Sequence, residues 1–160
     1  MKRYQILLLL FAPLGTVLAV HGQRPDANTT LPSPTELRYH DHLPNEPLPD
    51  TLDPAQFREN PTAFVAYALA GRIGSTLYQV PCSCGCDKEQ GHQSLLDCFT
   101  SRHGALCHIC QKEVLFCFLQ NQEHKNAVQI REEMARGGAS RLDLKKLAGR
   151  FYTQIQKFAN

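Results

Sequence analysis

The stretch PCSCGCDKEQGHQSLLDCFTSRHGALCHIC, residues 81–110, carries six of the chain's seven cysteines and three of its seven histidines. Thiols packed this closely in sequence bind metal, cycle electrons or staple a fold, and six independent buried thiols are the rare outcome. Cys82, Cys84 and Cys86 alternate along the chain. In an extended backbone such residues share one face, with about 6.6 Å between Cα atoms. Gly85 permits the further curl that lets three sulfurs converge. A disulfide between residues two apart lies near the limit of bridge geometry and would be strained and easily reduced. Soft or borderline cations, Cu(I) or Zn(II), suit such a set of thiolates.

His92, Cys98 and His103 follow, and Cys107-x-x-Cys110 then opens a helical pattern. At a helix start the dipole lowers thiol pKa, which favours either metal ligation or nucleophilic attack. Gln111 stands where covalent haem attachment would need a histidine. The candidate metal ligands are therefore Cys82, Cys84, Cys86, His92, Cys98, His103, Cys107 and Cys110. Six sulfurs and two nitrogens suit two four-coordinate sites, or one site plus a disulfide.

Working outward, the periodicity is helical. Asn60 and Pro61 form an N-cap and first-position pair, followed by Phe64, Tyr67, Ala68 and Gly71 at helical spacing. Gly71 and Gly74 are expected to end this helix, and Ser75 to Val80 to run extended into Pro81. Cys107, Cys110, Val114 and Cys117 form one stripe of a helix that is apolar all round from Val114 to Leu119, as befits the centre of a core. Cys117 reads there as a small hydrophobe, while His108 and His124 read as surface residues. Ala127, Ile130 and Met134 mark a short helix stopped at Gly137-Gly138, and Ser140 with Asp143 has the pattern of a capping box opening the last helix. On that helix Leu144, Leu147, Phe151, Ile155 and Phe158 oppose Lys145, Lys146, Arg150 and Lys157. Such a face can lie on anionic lipid, but packing on a domain of this size is the favoured reading. The fold class is mostly α: a small helical domain over 62–160, its motif core at 80–136, with an irregular Cys-rich loop, 78–103, packed on a central helix.

Upstream, Lys2 and Arg3 precede an apolar run, and residues 1–22 read as a cleavable export signal. Uncleaved, Tyr4 to Val20 is long enough for an N-terminal membrane anchor. Export places the chain in a periplasmic or extracellular setting, where neighbouring cysteines oxidise unless a metal or reductant holds them. Residues 23–61 contain eight prolines and seven acidic against three basic side chains, the composition of an extended acidic linker in which His40 and His42 are solvated. No aromatic-interleaved basic strand for nucleic acid, hydrolase triad pattern, phosphate loop or dinucleotide fingerprint is present, so a nucleotide cofactor is not expected.

Pro81-Cys82-x-Cys84-Gly85-Cys86, Gly91-His92, Asp97-Cys98-Phe99, His103, Cys107-x-x-Cys110 and Ile130-Arg131 together resemble the PCYCGC-motif (CYCXC) family of small exported bacterial proteins and lipoproteins. Ser83 replaces the motif's usual aromatic, and no cysteine is present at the N-terminus to carry a lipid. The resemblance implies soft-metal or thiol redox chemistry at the motif and names no activity.

Three functions are thus expected. The first is an exported protein binding Zn or Cu through clustered thiolates, with a metal ion and an exported redox or metal-handling protein as partners. The second is an extracytoplasmic thiol-disulfide oxidoreductase using Cys84 and Cys86 or Cys107 and Cys110. The third is a disulfide-stapled secreted binding module.

Overall fold

The structure, a computed structural model, describes residues 37 to 159, with side chains as far as 155 in the last helix. The export-signal reading, the first part of the linker and the side chains of Lys157 and Phe158 lie outside the described residues. Among the described residues every regular element is a helix.

A 3-10 turn, Pro54–Phe57, leads into α1, Pro61–Ala70. Asn60 caps α1 by accepting from the Ala63 amide at 3.2 Å, and Pro61 occupies the first turn, where its missing N–H costs nothing. Seven of the ten α1 residues are buried, so the helix is packed on every side and shares the centre of the domain with α6, His108–Gln122. α1 packs against α6, α5 (His103–Leu106) and α8 (Leu144–Ala159). Tyr67 of α1 stacks on Phe57 at 4.1 Å, meets Phe99 edge-on at 5.2 Å and donates its hydroxyl to the Ser101 carbonyl. That last bond ties the centre of α1 to the segment leading into α5.

The segment Ser75 to Val80, expected extended, begins instead as a helical turn, α2 (Gly74–Tyr78). The Thr76 and Leu77 amides both bond back to Ile73 O, at 2.9 and 3.0 Å, and the turn sinks Leu77 fully into the core. Leu96 N then bonds Leu77 O at 3.3 Å and Leu95 N bonds Val80 O at 2.9 Å, closing the Cys-rich loop at its base. Within the loop lie two further single turns, α3 (Cys86–Glu89) and α4 (Asp97–Thr100).

On the far side, α7 (Ala127–Ala135) starts at a reciprocal capping box between Asn126 and Gln129 and ends before Gly137. The last helix is capped by Asp143, whose carboxylate accepts from the Lys146 amide at 3.1 Å; Ser140, the expected cap, bonds Gly137 O instead. Ala148 and Phe151 of α8 are buried against α1 and α6, with Leu144, Leu147 and Ile155 half-buried beside them and Lys145, Lys146 and Arg150 exposed. No helix of the described residues is long and apolar enough to cross a membrane.

Residues 37 to 60, expected within a free linker, lie along the domain as a strap. The His40 ring, expected in solvent, stacks on Tyr78 at 3.9 Å, the Arg131 guanidinium covers Tyr39 at 4.2 Å, and Leu52 N bonds Phe99 O at 2.9 Å. Leu48, Leu52 and Phe57 supply the apolar area that holds the strap down.

Candidate metal centre

The loop base, α3, α4, α5 and the start of α6 carry all eight candidate ligands to one place. Gly85 has a φ of +88°, a left-handed turn that glycine adopts without strain and that folds Cys86 back toward Cys82. The triplet is therefore a tight turn, with the three sulfurs within 4.8 Å of one another and Cys82 Sγ 3.3 Å from Cys84 Sγ. Cys107 caps α6 and Cys110 sits one turn inside it, as the Cys-x-x-Cys spacing predicts. Cys110 Sγ lies 3.5 Å from Cys82 Sγ and 3.7 Å from Cys84 Sγ.

Cys98, delivered by α4, lies 3.5 Å from Cys86. His92 Nδ1 approaches Cys98 Sγ at 3.4 Å, and His103 Nε2 approaches Cys84 Sγ at the same distance. The two imidazoles meet edge to face, 5.3 Å apart. Four donors, Cys84, His103, Cys107 and Cys110, fall within 4.8 Å of one another, as do Cys82, Cys98 and Cys110 and the set Cys86, Cys98 and His103.

These sulfurs are free thiols. Separations of 3.3 to 3.7 Å are far outside a disulfide, near 2.05 Å. They match the edge of a tetrahedron of thiolates around zinc, about 3.8 Å for a Zn–S bond of about 2.3 Å. The cluster therefore has the donor chemistry and the spacing to hold a metal ion, and nothing in it is drawn together as a staple.

Burial and hydrogen bonding divide the thiols. The bond from Cys82, aided by His103, pulls the Cys84 thiol down to about 4 against its partial burial. Bonds from Cys110 and Cys82, with His92 adding to them, pull Cys98 down to about 2. Cys82 is pushed far up, because its proton is shared with Cys110 and Cys84. The two lowered thiols are the ones that stand beside an imidazole.

Four further residues frame the cluster, of which only Asp97 stands in the motif read from the sequence. The Gln90 amide contacts His103 Nδ1 at 2.7 Å and so aims Nε2 inward. Asp97 accepts from the Gln93 and Ser94 amides at 2.6 and 3.2 Å, shaping the bend before Cys98. Gln111, fully buried, donates to the Gly104 and Ala105 carbonyls at 2.9 and 3.0 Å and clamps α5 to α6. Glu113, 2% exposed, accepts from the amide and hydroxyl of Ser83, and its other oxygen has no partner. A charged side chain one turn from Cys110 reads in sequence as a solvated position, which is why Glu113 was not expected.

Cys117, fully buried, lies 3.8 Å from Met134 Sδ, and burial raises its thiol well above the ordinary range. It is a core residue. His108 and His124 are exposed, the latter in a left-handed turn with a φ of +60°. The chain matches no protein-family model, no curated protein and no solved structure.

Proposed function

We propose that this chain is an exported protein that binds a soft or borderline metal ion, Zn(II) or Cu(I), through Cys82, Cys84, Cys86, Cys98, Cys107 and Cys110 with His92 and His103. The single observation that carries this is the mutual approach within 4.8 Å of Cys84, His103, Cys107 and Cys110, a three-sulfur, one-nitrogen set. Thiolates that converge without bonding repel one another, and a cation at their centre relieves that repulsion. The Gln90 amide nitrogen faces His103 Nδ1, and coordination through Nε2 requires that amide to turn over so that its oxygen accepts the Nδ1–H.

Export is supported by the charged and apolar N-terminus, and membership of the PCYCGC-motif family by the order and spacing of the motif. Bound structural zinc contributes about 10 to 16 kcal/mol in small domains, enough to decide whether a loop of this kind folds. The test is metal analysis of protein purified under reducing conditions, with thiol counting on the same sample. Retained metal and protected thiols are expected; a fully folded, metal-free protein would overturn the reading.

Thiol-disulfide exchange is the second reading, supported by half-buried Cys84 standing 3.3 Å from Cys82 and 3.4 Å from an imidazole. In it a Cys84 thiolate attacks a partner disulfide, the partner leaves as a thiolate, and a neighbouring thiolate resolves the mixed disulfide, so that this chain is oxidised and the partner reduced. Reduction of insulin by the Cys84→Ser variant at the wild-type rate would remove it.

A further inference from the structure

We infer that the cluster holds two ions of unequal accessibility: an inner ion fixed with the fold and an outer ion open to exchange. This deepens the metal-binding reading above and rests on it.

The eight donors divide without remainder. Cys84, His103, Cys107 and Cys110 form the one four-donor set within 4.8 Å among the described residues, and the sulfurs left over, Cys82, Cys86 and Cys98, are also pairwise within that distance. His92, 3.4 Å from Cys98, stands at the edge of this second set and at no sulfur of the first. Each set thus has three sulfurs and one imidazole, the complement of a four-coordinate ion. A single ion uses at most half of the donors, and an ion in the first set would leave Cys82, Cys86 and Cys98 as buried thiols, with Cys86 and Cys98 pressed together at 3.5 Å.

The two sets differ in burial. Cys82, Cys86 and Cys98 are 5%, 1% and 0% exposed and only His92 of this set is half-exposed, so the three sulfurs shield an ion among them from solvent. In the other set only Cys110 is buried, and Cys84, His103 and Cys107 are half-exposed. The sets also differ in origin. The inner donors come from the single loop between Cys82 and Cys98, which an ion would order, whereas the outer donors join that loop to α5 and α6. They meet at Cys82, whose Sγ lies 3.3 Å from Cys84 and 3.5 Å from Cys110, and at His103, which also comes within 4.8 Å of Cys86 and Cys98. An ion held by half-exposed donors can be reached by incoming ligands, whereas one sealed among buried sulfurs is released only when the fold around it opens. Loss of the outer ion is a ligand exchange in which the metal keeps its charge: incoming thiolate or chelator atoms replace Cys84, Cys107, Cys110 and His103, and the freed Cys107 and Cys110 thiolates take up protons from water.

The test reconstitutes the full chain with Zn(II) under reducing conditions, counts zinc by native mass spectrometry, and challenges the holoprotein with a chromophoric chelator while following helix content by circular dichroism. Two zinc ions per chain are expected, one released in a fast phase with the helix signal unchanged and the second only as that signal is lost. Cys107→Ser is expected to lower the count to one, abolish the fast phase and keep the slow one. Release of both ions in one phase, or loss of both in folded Cys107→Ser, would overturn the division. One ion per wild-type chain would overturn it too while leaving metal binding intact; none would overturn the reading beneath it.

Discussion

Ser83 and Glu113, thirty residues apart, are joined through one carboxylate oxygen that accepts both the Ser83 amide, at 3.0 Å, and its hydroxyl. The contact pins the middle of the Cys82 to Cys86 turn onto α6, where Cys110 waits. Glu113→Ala is expected to cost about 2 kcal/mol and Ser83→Ala about 1 kcal/mol, since a lost acceptor strands a donor whereas a lost hydroxyl leaves the amide bond. Urea unfolding of the two variants checks the order, and reversed costs would show that the hydroxyl, not the carboxylate, holds the turn.

Burial pushes the Glu113 carboxyl up to about 7, against the lowering effect of the Ser83 hydroxyl and Cys82. The folded protein thus holds a proton that the unfolded chain releases at the ordinary carboxylate pKa. The resulting stabilisation is fully present below about pH 4.5 and is lost as pH rises through about 7, with a span of up to about 3 kcal/mol. Glu113→Gln cannot titrate. The difference in stability between wild type and this variant, at one fixed metal concentration, is expected to turn against wild type between those two pH values. A difference that does not vary with pH would mean the carboxyl is not held neutral.

Gly104 has room for no side chain: a Cβ there would stand 2.8 Å from Phe99 Cε1 and 2.9 Å from the Cys98 carbonyl. The latter is backbone and cannot swing aside. Gly104→Ala should therefore push α5 off α4, costing about 1 to 3 kcal/mol, and carry His103 and Cys107 away from Cys84. Zinc affinity and thermal stability are expected to fall together. Unchanged affinity would show that α5 can shift without disturbing the donors.

The strap depends on Arg131, which covers Tyr39 and also donates to Gln79 O at 2.8 Å, next to the start of the Cys-rich loop. Arg131→Ala is expected to cost about 1 to 2 kcal/mol, with Arg131→Lys recovering little, because a point charge replaces a planar fork. Limited proteolysis should cut residues 38 to 50 faster in both variants. Equal cutting in wild type would mean the strap is held by Leu48 and Leu52 alone.

Helices with long periodic faces were legible in the residues: Asn60-Pro61 marks the start of α1, the Cys107 to Cys117 stripe marks α6, and Gly137 marks the end of α7. Spacing showed that Cys82, Cys84 and Cys86 can share one side of a curled segment, whereas their meeting with Cys107 and Cys110 depends on how the loop packs on α6. Single turns such as α2 were not legible, since five residues show no period and their hydrogen bonds depend on what they pack against. The strap was hidden by composition. Proline and acidic residues dominate its count, while Leu48, Leu52 and Phe57, which hold it, are few.

The sharpest probe of the turn is Gly85, with a φ of +88° and nothing within 4 Å of where a Cβ would stand. Any cost of Gly85→Ala is therefore backbone strain alone, about 1 to 2 kcal/mol, with no clash to confuse it. Asparagine tolerates the left-handed region better, so Gly85→Asn should recover part of the loss. If that turn sets the approach of Cys82, Cys84 and Cys86, zinc affinity must follow the same order: wild type above Gly85→Asn, and Gly85→Asn above Gly85→Ala. Competition with a chelator of known affinity measures it. Equal affinities alongside unequal stabilities would mean that the metal, and not the glycine, dictates the path of the turn.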